Sequence, residues 1–546
     1  MTLISKFFER AMALPPAQTR EVVVQRDLRV PMPDGVTLLA DRYIARGADK
    51  PPLVLARSPY GRRGPWGMMA GRIFAERGFQ AVVQSCRGTF GSGGALDPFG
   101  PAEQDDAVAT VEWLRQQPWY PGSFGTFGPS YLGITQWALA ASGLPDHAAM
   151  ATQVTASDPR AMIRAGGSFA LETMLGWIDQ VARQERTGAM IRQRLRERKL
   201  RELAGQLPLG ELDRLATGAT WPYWQDWLTQ GDDYWDRHSF CAGPGKVAAA
   251  VSMVGGWNDI FLPAQLRDYA ALRTAGHEPR LTIGPWRHAD DAAAGTWVRE
   301  GLEFLAAVLA DGGSGLPASP VRIFVTGADQ WRDLPSWPPA STSEPWYLHP
   351  GGGLQTITPG ESAPDEYTYD PADPTPNLAG PVGLNGIARV DNRVLEARRD
   401  VLTYTSPALA HDLEVVGVPE VDLRVTSDCE HTDVFARLCE VSPTGASVNI
   451  CDGLLRLAPG RPVPETDGTQ RVTFELWPVA HRFGAGSRLR LQVSSGAHPR
   501  YARNTGTGEA IATARTLVPA HQHVFHDPAH PSAVVLPVTQ LSARTA

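Results

Sequence analysis

Gly125-Thr126-Phe127-Gly128-Pro129-Ser130-Tyr131-Leu132-Gly133, continuing as Ile134-Thr135-Gln136-Trp137-Ala138-Leu139-Ala140-Ala141, is the stretch from which the rest of the chain can be read. Gly128-x-Ser130-x-x-Gly133 is a close variant of G-x-S-x-G, with its second glycine one place later and an apolar, alanine-rich helix immediately downstream. Small residues at a strand-to-helix turn let the backbone bend tightly. The serine hydroxyl then projects above the sheet, while the new helix aims its N–H groups and positive dipole end at the same point. A serine so placed needs a base. Because a glycine-rich turn with a serine also arises without any chemistry, the reading depends on partners elsewhere in the chain.

Two segments supply them. Gly255-Gly256-Trp257-Asn258-Asp259-Ile260-Phe261 follows the apolar run 248–254, and Gly284-Pro285-Trp286-Arg287-His288 follows Leu281-Thr282-Ile283. Each reads as a strand ending in a glycine-bearing loop that carries one acid or one imidazole. The order Ser130, Asp259, His288 is the α/β-hydrolase order of nucleophile, acid and base.

Four motifs, in order, carry a resemblance: Ser58-Pro59-Tyr60-Gly61, the Gly128 to Gly133 turn, Gly256-Trp257-Asn258-Asp259 and Gly284-Pro285-Trp286-Arg287-His288. Together they resemble the cocaine esterase/X-Pro dipeptidyl-peptidase hydrolases, the CocE/NonD family that also contains the α-amino acid ester hydrolases. The resemblance spans nearly the whole chain, since 322–331 and 484–495 look like the start and a late strand of the family's C-terminal β-domain. It implies an oxyanion site formed by the Tyr60 hydroxyl and the Tyr131 backbone N–H. On residue type alone, Tyr60 reads as a buried aromatic with a satisfied hydroxyl. A phenol with a reference pKa near about 10 would stay a neutral donor at working pH. Asp259 is read as the acid in preference to Asp290 and Asp291 because only it sits in a predicted strand-end loop that also carries the family's motif. The resemblance also implies that Phe261 faces the substrate. Phe169, Trp177, Trp257 and Phe261 are the candidates for substrate contact, whereas Trp221, Trp224, Trp227 and Trp235 read as packing.

Length and composition bound the answer. A chain of 546 residues exceeds what one core usually organises, and its net charge of −7 lacks the basic surplus of a nucleic-acid partner. The five cysteines, Cys86, Cys241, Cys429, Cys439 and Cys451, are odd in number and without C-x-x-C spacing, so neither a disulfide framework nor a metal site is expected and a reducing cytoplasm fits best. Cys86 precedes Arg87 but lacks a histidine in a matching motif, so it is not read as a nucleophile. Residues 1–13 contain Lys6, Glu9 and Arg10 and do not read as a signal peptide, and no run is long enough to span a membrane.

The expected architecture is an α/β-hydrolase core over 1–150 and 241–318, an inserted helical cap domain over 151–240 and a C-terminal jelly-roll β-sandwich domain over 319–546. The runs 22–24 and 28–32 against 36–40 predict an antiparallel start, and Asp105 and Asp106 should open a helix. Leu171, Met174, Leu175, Ile178, Val181 and Ala182 recur at helical spacing. Arg192, Arg194, Arg196, Arg198, Lys199 and Arg201, interleaved with Glu197 and Glu202, read as a solvated helix face. Residues 364–376, rich in Pro and Asp, read as a loop.

The expected activity is a serine esterase working through an acyl-enzyme on a small-molecule ester, with no metal and no cofactor. Leu132 follows Ser130-Tyr131 as in the cocaine-esterase-like pattern, and no acidic cluster suited to a free α-amine is evident. X-Pro dipeptidyl-peptidase, α-amino acid ester hydrolase and acyltransferase activities stay open as alternatives. So does a carbohydrate- or partner-binding protein on a dead hydrolase fold, and homo-oligomerisation through edge strands.

Overall fold

Strands β1 (Val22–Pro31) and β2 (Thr37–Ala45) pair antiparallel, with an irregularity between Gln25 and Leu28. The two runs expected at 22–24 and 28–32 are therefore one bulged strand, with Asp27 at φ 55°. The computed structural model describes residues 2–186, 189–310, 314–383 and 386–539; the side chains of 189–195, including Arg192 and Arg194, lie outside the described set.

After β2 the sheet becomes parallel. Strands β3 (Leu53–Ser58), β4 (Gln80–Ser85), β5 (Phe124–Pro129), β6 (His147–Gln153), β7 (Ala250–Asn258) and β8 (Arg280–Arg287) lie in the order β1-β2-β4-β3-β5-β6-β7-β8. β2 and β4 are antiparallel, and every later pair from β4 to β8 is parallel. β3, β4 and β5 are buried along their whole lengths, as strands covered on both faces must be. Their side chains divide by alternation. Val54 and Ala56 join Phe127, Leu302 and Leu305 in one apolar cluster, while Leu53 and Leu55 join Val82, Val111 and Leu114 in another. Each large side chain so buried contributes roughly 1.5–3 kcal/mol.

β6 is not expected from the sequence. Its sequence, His-Ala-Ala-Met-Ala-Thr-Gln, carries no β-branched run, and it straddles the boundary expected at residue 150. Its place between β5 and β7, not its propensity, makes it a strand. The helix expected to open at Asp105 begins earlier, spanning Ala102–Arg115, and Asp106 is buried beside Arg87 instead of lying at the helix start.

The chain divides into two packed units, Met1–Met162 with Gln184–Thr187 and Gln230–Arg322, and Ile163–Arg183 with Gly188–Thr229 and Ile323–Ala546. The helical insertion is thus shared between them, most of its helices falling in the unit that holds the C-terminal strands. In that second unit the helix Leu171–Arg183 buries Leu171, Met174, Leu175, Ile178 and Val181 as the spacing predicts. Arg198 is exposed and pairs with Glu202 at 2.9 Å, as a solvated face should. Arg196, however, turns inward to the buried Asp179 at 2.8 Å, which Arg183 also reaches at 2.9 Å. A buried carboxylate needs such partners.

The C-terminal part is built mostly of strands, among them Thr342–His349, Glu420–Ser427, Asp433–Val441, Ser447–Arg456, Arg488–Ser494 and Ala533–Val538. They enclose one apolar core that includes Leu348, Leu423, Leu438, Leu491 and Leu536. The segment read as a loop over 364–376 contains a strand, Asp365–Tyr369, paired antiparallel with Ala520–Phe525. Tyr367 and Tyr369 point inward at every second position, a period of two that the flanking prolines and aspartates obscure.

Candidate active site

Ser130 sits at the turn between β5 and the helix Tyr131–Ala140 with φ 56° and ψ −124°, a backbone conformation foreign to a serine in ordinary structure. Strain of this kind costs on the order of 1–3 kcal/mol and persists only where neighbours enforce it. They do so here. Ser130 N–H donates to the Gln153 carbonyl at 2.9 Å, and the Ser130 carbonyl accepts from Gly133 N–H at 2.8 Å and the Thr155 hydroxyl at 2.8 Å. The two glycines of the motif are required by space. A Cβ on Gly128 would stand 2.4 Å from the Leu132 Cβ, and one on Gly133 would stand 2.2 Å from the Thr155 Cγ2.

Three loops at the carboxyl ends of β5, β7 and β8 bring the predicted side chains together. Ser130 Oγ lies 2.9 Å from His288 Nε2, and His288 Nδ1 lies 2.7 Å from Asp259 Oδ2. The open crevice at the carboxyl ends of parallel strands is where such sheets collect functional groups. Asp259 is fully buried, and its second oxygen, Oδ1, accepts the Phe261 backbone N–H at 2.8 Å. That bond fixes the plane of the carboxylate. With Oδ1 engaged, Oδ2 faces the imidazole and favours the tautomer with its proton on Nδ1, leaving Nε2 as the acceptor toward Ser130.

Tyr60 follows the end of β3. It is half-buried, its ring stacks on Trp66 with centroids 5.5 Å apart and meets the Tyr131 ring edge-on at 6.4 Å. Tyr131 is the first residue of the helix after the elbow, so its N–H stands at the positive end of that helix. Phe261 is buried against the imidazole, ring centroids 5.5 Å apart, and Trp257 is buried at the end of β7. Phe169 and Trp177 belong to the second unit, where Phe169 packs edge-on against Trp224 and Trp177 lies against Tyr223 and Trp227. Trp224, Trp227 and Trp235 are buried, as packing residues are.

Beneath the elbow lies a cluster of buried polar groups that the sequence does not predict: Arg57, Gln84, Glu103, Asp106 and Thr110. Glu103 Oε1 accepts the Tyr131 hydroxyl at 2.7 Å, and burial pushes the Glu103 carboxyl up against the opposing pull of Arg57. The one available signal was an Arg closing an otherwise apolar strand. Cys86 lies in the same buried region, and burial raises its thiol well above the ordinary range, which makes it a poor nucleophile. Among the described residues no group of three His, Cys, Asp or Glu side chains is arranged to hold a metal ion.

Residues 34–290 match the sequence profile of the X-Pro dipeptidyl-peptidase S15 family, and residues 316–535 match the X-Pro dipeptidyl-peptidase C-terminal non-catalytic domain. The cocaine esterase of Rhodococcus sp. (strain MB1 Bresler) is 31% identical over 575 aligned positions, which cover 94% of this chain and 98% of the relative. An α-amino acid ester hydrolase shares the fold with a TM-score of 0.80 at 22% identity, covering 96% of this chain and 98% of its own. An aminopeptidase from a marine sediment Thaumarchaeota archaeon does so with a TM-score of 0.79 at 21% identity, covering 96% and 98%. Both share the α/β-hydrolase architecture with its C-terminal β-domain. With a near full-length relative at that identity and both domain profiles matched in order, the chain belongs to the cocaine esterase/X-Pro dipeptidyl-peptidase family of hydrolases.

Proposed function

We propose that this chain is a serine esterase that cleaves small carboxylic esters through an acyl-enzyme. Ser130 is the nucleophile, His288 the general base and acid, and Asp259 the group that orients and stabilises the imidazole. As Ser130 Oγ attacks the ester carbonyl, its proton passes to His288 Nε2, and the carbonyl oxygen becomes an alkoxide received by the Tyr60 hydroxyl and the Tyr131 N–H. Collapse of that intermediate breaks the bond to the alcohol, which takes the proton from Nε2. A water then repeats the sequence on the acyl-enzyme, with the same imidazole accepting its proton. Substrate contact is assigned to Trp257 and Phe261, which flank Asp259 in the chain.

The observation that carries this reading is the unbroken row from Ser130 Oγ through His288 to Asp259, at 2.9 Å and 2.7 Å. An ester is preferred to a peptide as substrate because the cocaine esterase of Rhodococcus sp. aligns with 94% of this chain and 98% of its own length. The net charge of −7 argues against a nucleic-acid partner. No described helix is long and apolar enough to cross a membrane, and all five cysteines are unpaired, which favours the cytoplasm.

Comparison of kcat/KM for 4-nitrophenyl butyrate, an X-Pro 4-nitroanilide and phenylglycine methyl ester tests the assignment. The aryl ester should be preferred by about a hundredfold or more over the anilide. Preference for the anilide would make the enzyme a dipeptidyl-peptidase, and preference for the amino ester an α-amino acid ester hydrolase.

A further inference from the structure

Helix Ala102–Arg115 sends Glu103 under the nucleophile turn, where it meets Arg57 from the end of β3 and Tyr131 from the start of the elbow helix. All three side chains are buried: Arg57 is 2% exposed, Glu103 5% and Tyr131 1%. The Tyr131 hydroxyl donates to Glu103 Oε1 at 2.7 Å and accepts the Phe99 N–H at 3.2 Å. Glu103 Oε2 stands 3.2 Å from Arg57 Nη2, while Arg57 Nη1 donates to the Glu103 backbone carbonyl at 2.8 Å and Arg57 Nε donates to Gln84 Oε1 at 2.9 Å. Asp106, also buried, lies 3.9 Å from Arg57 and is held by Arg87. The elbow helix closes the loop, because the Thr135 hydroxyl donates to the Arg57 carbonyl at 3.3 Å.

Stability alone does not explain such a cluster. Desolvating a carboxylate and a guanidinium can cost as much as their attraction returns, and apolar side chains of similar volume often serve a core as well. What the pair supplies is a defined position for the groups bonded to it. A carboxylate pinned by an arginine makes a short, charge-assisted bond to the phenol and leaves the Tyr131 ring little freedom. Arg57 lies three residues before Tyr60, and the Tyr60 ring rests edge-on against the Tyr131 ring. Both segments that carry the oxyanion donors therefore converge on one buried ion pair.

We propose that Glu103 and Arg57 are positioning residues for the oxyanion site: Glu103, held by Arg57, fixes the Tyr131 ring and thereby the aim of the Tyr131 N–H, and the same pair ties that N–H to the strand that leads into Tyr60. This rests on the esterase reading above. Deleting an oxyanion donor outright costs about a hundred- to a thousandfold in kcat, so loosening one should cost less, about tenfold.

The test compares wild type, Tyr131→Phe and Glu103→Gln with 4-nitrophenyl butyrate, each normalised to active sites titrated with a fluorophosphonate. Tyr131→Phe removes only the hydroxyl; Glu103→Gln keeps an acceptor for it but removes the charge, and serves should the first variant fold poorly. Both should lose about tenfold in kcat with KM within twofold. Affinity for an aryl trifluoromethyl ketone, which forms an oxyanion on a reactive serine, should fall by the same factor. Normalised kcat within twofold of wild type in a folded variant, or a loss confined to the melting temperature, overturns the inference alone. Absence of turnover and labelling in the wild type overturns the esterase reading with it.

Discussion

Asp259→Asn isolates the role of a single oxygen. The Phe261 N–H donates to Asp259 Oδ1 at 2.8 Å, so the substituted amide must keep its oxygen there and turn its NH2 toward His288 Nδ1. That nitrogen, 2.7 Å from the Asp259 Oδ2 position in the native row, would then have to accept a hydrogen bond. The proton moves to Nε2, and the imidazole can no longer take one from Ser130 across the 2.9 Å contact. The same tautomer reversal in a serine-protease triad lowers kcat about ten-thousandfold, or about 5 kcal/mol at 1.36 kcal/mol per decade. The fold should survive, since the amide retains the Phe261 bond and the volume is unchanged. Steady-state kinetics on 4-nitrophenyl butyrate beside a thermal melt is the assay. A folded Asp259→Asn retaining more than about a tenth of wild-type kcat would refute the tautomer argument.

Two further outcomes follow from packing and burial. Gly133→Ala places a Cβ 2.2 Å from the Thr155 Cγ2 in a fully packed site, so the elbow must shift; denaturant titration should show a loss of about 1–3 kcal/mol together with reduced turnover, and unchanged values for both would mean the turn has slack. Burial raises the Asp268 carboxyl to about 7 although it accepts both the Ser157 N–H at 2.7 Å and the Ser157 hydroxyl at 2.6 Å. A folded-state pKa above the unfolded value of about 3.9 means that the native state holds a proton the unfolded chain releases, so this contribution to stability is complete below about pH 4 and declines up to about pH 7, by at most about 1.4 kcal/mol per pH unit. Asp268→Asn should flatten that part of the stability profile, and an unaltered slope would show the carboxyl to be ionised in the native state.

How much of this was legible in the chain depends on how local each signal is. The elbow could be read because its requirements fall within six residues, where Gly128 and Gly133 stand at positions that have no room for a Cβ. Asp259 and His288 could be read because each follows a buried apolar strand directly. β6 could not, since an alanine-rich segment becomes a strand only through its neighbours on both sides. The strand Asp365–Tyr369 was hidden by turn-forming residues around two inward tyrosines. The Arg57, Glu103 and Tyr131 cluster was invisible for a different reason. Its members lie 46 and 28 residues apart, and a glutamate in the first turn of a helix ordinarily signifies only the helix dipole.

Labelling with a fluorophosphonate, followed by peptide mass spectrometry and residual-activity measurement, addresses the central claim most directly. One adduct per chain on the peptide containing Ser130, with ester turnover lost in proportion and both absent in Ser130→Ala, is the predicted result. An adduct on a different residue, or turnover that persists in Ser130→Ala, would contradict it.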